Sequence, residues 1–141
     1  MNEGTSMAEK ERRLVEAVLD GDGDGVQLLM DDLSDERAHR VLLGAFIVAV
    51  QRLFPGEYTP TQVTAYVADL RRRLGSGDQL KPMPTEAMIR AALDEPDLRD
   101  GVSPQDAVNA YFAVSHAYSQ DHQVRGPERD EFIREVVETI A

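Results

Sequence analysis

"VLLGAFIVAV", residues 41–50, is the stretch whose reading decides the fold. Arg40 closes it on one side and Gln51-Arg52 on the other. Ten apolar residues are too few to cross a bilayer, which takes ~20. The run sits instead inside a helical frame. Ser34 reads as an N-cap, Asp35 and Glu36 put anions in the first turn, and Pro55-Gly56 ends the element. These signals predict a helix over about 35–54. Its middle is apolar on every side, as befits a central helix wrapped by others.

The wrapping helices can be read outward from it. Ser6 and Glu9 have the spacing of a capping box, and Met7, Leu14, Val15, Val18 and Leu19 form a stripe, predicting a first helix over about 7–20. Val26, Leu29, Met30 and Leu33 make a short second stripe. Thr59-Pro60 opens a fourth helix carrying Val63, Tyr66, Val67, Leu70 and Leu74, with Gly75 to cap its end. The longest expected loop is "GSGDQLKPMP", residues 75–84, before a fifth helix over about 85–95 with Met88, Ile89, Ala92 and Leu93 inward. Ser103-Pro104 starts a sixth over about 104–119, burying Val108, Tyr111, Phe112, Ser115 and Tyr118. Gly126-Pro127 opens the last, with Phe132, Ile133, Val136, Val137 and Ile140 on one face. Nothing alternates with period two. The expectation is an all-α, single-domain bundle of about seven helices over 6–141, with residues 1–5 as a disordered tail. "VTAYV" at 63–67 and "VNAYF" at 108–112 are alike, but five residues are too few to establish a repeat.

Composition narrows the function classes. A chain of 141 residues can bury a core without staples. The absence of cysteine excludes disulfides, thiolate metal sites and cysteine nucleophiles. The polar start "MNEGTSMAEKERR" has no signal-peptide core, so a cytoplasmic address is expected. Formal net charge is −11, a field that repels nucleic-acid phosphates and anionic lipid and favours a basic protein partner. Lys10 and Lys81 are the only lysines among fifteen cations. With abundant Ala, Asp, Gly and Val, that bias points to a GC-rich bacterial genome.

The sharpest chemical pattern is "LDGDGDGVQLLMDD", residues 19–32. Asp20, Asp22, Asp24, Gly25 and Asp31 fall at positions 1, 3, 5, 6 and 12 of a twelve-residue loop, so the stretch 20–31 resembles an EF-hand calcium loop. That resemblance implies those four aspartates as calcium ligands, with no other cofactor. Against it, Gln27 stands where an aliphatic belongs, Leu28 where a ligand belongs, and no second loop pairs with it. The alternative is a helix–turn–helix connector, in which Gly21 or Gly23 takes the left-handed C-cap conformation and Asp22 or Asp24 caps the next helix. The residues favour the turn.

The remaining candidates are weaker. His116, Asp121 and His122 would surround a zinc ion only if the chain folded back, since His116 and His122 do not have the i, i+4 helical spacing. Arg71-Arg72-Arg73 lies where cations complement a helix dipole. No GxxxxGK[ST], GxSxG or HExxH occurs. The leading expectation is a protein–protein interaction module, an adaptor, regulator or immunity-like binder of a basic partner, rather than an enzyme. The other readings are calcium binding at 20–31, and a small-ligand or catalytic pocket near the sixth helix lined by Tyr66, Tyr111, Phe112, His116 and Tyr118.

Overall fold

A computed structural model describes residues 2–33, 35–74 and 80–140. Its helices are α1 (Asn2–Asp20), α2 (Gly23–Asp32), α3 (Asp35–Leu53), α4 (Pro60–Leu74), α5 (Pro82–Leu93), α6 (Pro104–His122) and α7 (Pro127–Ile140), with a 3₁₀ segment at Pro96–Gly101. Among the described residues there is no strand. The bundle closes around α3, which packs against α1, α2, α5, α6 and α7. Within 41–50 only Leu43 and Ile47 are not buried. Phe46 is fully enclosed and its ring lies 5.3 Å from that of Tyr111 on α6.

One residue of the apolar run is there for its lack of a side chain. A Cβ on Gly44 would stand 2.5 Å from Ile140 Cγ2 and 3.3 Å from Val136 Cγ1. α7 can lie this close to α3 only because position 44 is glycine. Ion pairs tie the outer helices together: Arg37–Glu11 (2.6 Å) joins α3 to α1, Arg52–Glu135 (2.5 Å) joins α3 to α7, and Arg129–Asp20 (2.7 Å) joins α7 to α1.

Caps explain most boundaries. Thr59 Oγ1 accepts from the Gln62 amide (3.2 Å), while Gln62 Oε1 accepts from the Thr59 amide (2.9 Å), a reciprocal box ahead of Pro60. Ser103 Oγ accepts from the Asp106 amide at 3.2 Å. Other boundaries differ from expectation. α1 begins at Asn2, so Ser6 stands inside the helix rather than at its start, and residues 2–5, expected as a tail, have helical backbone. α5 begins at Pro82, since prolines at the first positions of a helix forfeit no intrahelical bond. α6 continues to His122, where Gln123 takes φ 48° and the Val124 amide returns to Ser119 O. The expected caps at Ser34 and Gly75 lie outside the described residues.

No helix among the described residues is long and apolar enough to cross a membrane.

Candidate functional site

The acidic turn is a connector between helices. Gly21 has φ +71°, its amide bonds Val18 O at 3.1 Å, and the Asp22 amide bonds Ala17 O at 2.9 Å, which closes α1 with a left-handed residue. Asp22 is the N-cap of α2, its Oδ1 accepting from the Gly25 amide at 3.0 Å. Because α2 starts at Gly23, most of the twelve-residue span is helix, and Asp24 and Asp31 stand about two turns apart along its axis. Asp20 accepts from Arg129 Nη2 at 2.7 Å, Asp31 from Gln27 Nε2 at 3.3 Å, and Asp24 lies exposed in the first turn of α2. The structure does not gather Asp20, Asp22, Asp24 and Asp31, the four aspartates that the loop resemblance names. No group of three or more His, Asp or Glu among the described residues could hold a metal ion.

The histidines are similarly engaged. His116 Nδ1 lies 3.0 Å from Leu19 O, His122 packs 4.7 Å from the Tyr118 ring, and Asp121 forms a two-pronged pair with Arg73 at 2.9 and 2.6 Å. The arginine cluster of α4 is engaged as well, with Arg71 Nε donating to Leu80 O at 2.8 Å and the exposed Arg72 pairing with Asp69 of the same helix at 2.9 Å.

Of the five residues expected to line a pocket, Tyr111 and Tyr118 are buried in the core and Tyr66, Phe112 and His116 are half-buried. Tyr111 is buried between Phe46 and His39, its hydroxyl 3.4 Å from His39 Nε2. Tyr118 stacks on Phe132 at 5.7 Å and its hydroxyl accepts from Arg52 at 3.4 Å. Tyr66 meets Phe54 edge-on at 5.6 Å, and its buried hydroxyl has no hydrogen-bond partner. Burial first, and then the charge of Asp121, push that phenol up to about 12. Phe112 and His116 pack near each other at 6.3 Å, on the side of α6 that meets α1 through Leu19. Each of the five rings packs against another ring of the bundle.

A cleft of about 620 Å³ opens elsewhere, where the Gly56–Pro60 connection meets the end of α5. Its construction follows from two breaks in the chain. Gly56, at φ +77°, turns the chain after α3 and sets Tyr58 against α5. Pro96 disfavours helix at Glu95, which adopts φ −123°, ψ 62°, and the Asp94 and Glu95 amides both return to Arg90 O. Glu95 then grips Arg90 with both oxygens at 2.8 Å, and Tyr58 bonds Glu95 Oε2 at 2.7 Å and Asp94 Oδ1. Burial, followed by the bonds to Asp94 and Glu95, raises the Tyr58 pKa beyond the usual phenol range. The Arg90 bond first, and the Tyr58 bond second, lower the Glu95 pKa. Of the charged groups lining the cleft, Glu57, Asp94 and Glu95 outnumber Arg90 by two. Glu57 and Asp94 form no ion pair among the described residues.

No motif in the sequence singles out this cleft, whose residues Glu57, Tyr58, Asp94 and Glu95 come from two separate segments. The usable signal was Arg90 five residues before Glu95, with Pro96 forcing the turn that brings them together. No protein-family model, curated protein or solved structure matches the chain.

Proposed function

We propose that this chain is a protein-binding module that receives a basic side chain of its partner in the acidic cleft beside Tyr58. The observation carrying this reading is the pairing inside the cleft. Its one cation, Arg90, is already held by both oxygens of Glu95, so the carboxylates of Glu57 and Asp94 meet no resident cation. An incoming guanidinium or ammonium would supply it, and charge-assisted bonds of this kind are about twice as strong as neutral ones. The wider field agrees, since a chain of net charge −11 steers basic partners toward it and phosphate backbones away.

Calorimetry with a nine-residue arginine peptide tests the reading. The double variant Glu57→Gln/Asp94→Asn should weaken binding about tenfold, equivalent to ~1.4 kcal/mol. The control Glu128→Gln/Glu131→Gln removes the same charge from exposed positions of α7 and should change it less than about threefold, as expected of screened surface charge. Equal losses in the two variants would mean that only the overall field attracts the peptide.

A further inference from the structure

A second pocket, with Pro96 and Arg99 of the adjoining segment in its wall, has the opposite chemistry. Leu43 and Ile47, one turn apart on α3, are the two members of the 41–50 run that the surrounding helices leave only half-buried. They face a cleft of about 230 Å³ whose other walls are Met88, Ala91 and Ala92 of α5 with Pro96. Arg99 of the 3₁₀ segment completes it and is its one charged lining residue. Although Asp97 and Asp100 flank it in sequence, Arg99 forms no ion pair among the described residues, unlike most arginines of this chain.

The neighbouring polar groups extend this corner. His39 precedes Leu43 by one turn of α3, and its Nε2 is 3.4 Å from the Tyr111 hydroxyl. Arg99 is close enough to Tyr111 for its charge to favour the phenolate, against the larger opposing effect of burial. An unpaired guanidinium at the edge of a small apolar hollow, in a chain of net charge −11, is the reverse of what the overall field would select.

We propose that this pocket binds a medium-chain carboxylate, its alkyl tail between Leu43, Ile47, Met88 and Ala91 and its head on Arg99. The hollow is smaller than a drug-sized site, which runs from about 300 Å³ upward, so a short alkyl tail such as that of octanoate is the size it suits. The site is separate from the acidic cleft and stands whether or not that cleft takes a basic partner.

The test titrates octanoate, 1-octanol and octylammonium, each below its aggregation concentration, into protein labelled at the methionine methyls. Octanoate should shift the Met88 methyl with a Kd on the order of a millimolar, as suits a ligand of this size. Octanol should bind about tenfold more weakly. Octylammonium should bind more weakly still, even though net charge −11 attracts it. Arg99→Gln, at an exposed position, should bring octanoate down to the octanol affinity and leave octanol unchanged. Ala91→Leu, which fills the pocket, should abolish the Met88 shift for all three, with unfolding curves confirming that both variants fold. The proposal is overturned if octylammonium binds as well as octanoate, if Arg99→Gln leaves octanoate unaffected, or if shifts at exposed Met83 match those at Met88.

Discussion

Replacing the three glycines of GDGDG by alanine, one at a time, separates a helix connector from a cation loop. At Gly21 the left-handed backbone (φ +71°) costs an L-residue ~1–2 kcal/mol. The new Cβ would also stand 2.5 Å from His116 Cε1, and moving that ring gives up its 3.0 Å contact with Leu19 O. A lost hydrogen bond adds ~0.5–1.5 kcal/mol, for a sum of about 2–3 kcal/mol. Gly23 opens α2 with nothing within 4 Å of a Cβ, so alanine there should be neutral or stabilise by up to ~1 kcal/mol through lower unfolded-state entropy. At Gly25 a Cβ collides with the Asp22 carboxylate and breaks the cap, a loss of ~1 kcal/mol. Urea unfolding followed by far-ultraviolet circular dichroism resolves these differences, because 2–3 kcal/mol moves the midpoint by about 1 M or more. In a His116→Ala background the cost at Gly21 should fall toward the strain component alone, a coupling that a double-mutant cycle measures. A calcium loop would rank the positions differently, with the sixth, Gly25, indispensable. Gly25→Ala emerging as the most damaging, or Gly21→Ala as harmless as Gly23→Ala, would refute the connector.

Phe46→Ala in the centre of α3 should destabilise by ~3–5 kcal/mol, whereas Leu28→Ala, 71% exposed, should fall within ~0.5 kcal/mol of the parent in the same urea assay. Glu95, whose pKa folding lowers, should favour the folded state over a Glu95→Gln variant fully above the ordinary glutamate value of about 4.3, with the advantage lost as pH falls through the lowered value. Unfolding midpoints of the two proteins between pH 7 and pH 3 should converge toward the acid end. Tyr58 has the opposite sign, since its neutral form is the one held in place: its contribution is complete below about pH 10 and disappears as pH rises through its raised pKa. In an alkaline absorbance titration Tyr58→Phe should therefore remove ionisation from the late part of the curve, beyond pH 10.

The helices were legible because each depends on signals within a few residues: Thr59-Pro60, Ser103-Pro104 and Gly126-Pro127 mark starts, and the 41–50 run marks the element to be enclosed. The turn geometry at Gly21 and Asp22 was legible too, since Gln27 where an aliphatic belongs and Leu28 where a ligand belongs favoured a connector. What escaped was chemistry assembled over distance. Tyr58 precedes Asp94 by 36 residues and meets it only because α4 and α5 pack side by side. An aromatic at helical spacing reads the same in sequence whether it faces a hollow or a neighbouring ring. Only packing distinguishes them, as Phe46 does for Tyr111. The small pocket beside Leu43 depends in turn on which stripe of α3 is left only half-buried, a property of all its neighbours together.

The most direct test of the acidic cleft as the partner-binding site is to follow backbone amide shifts while titrating the arginine peptide. The account predicts saturable movement at Gly56, Glu57, Tyr58 and residues 93–95, with α7 still. Shifts spread evenly over the acidic surface, or concentrated on α7, would contradict it.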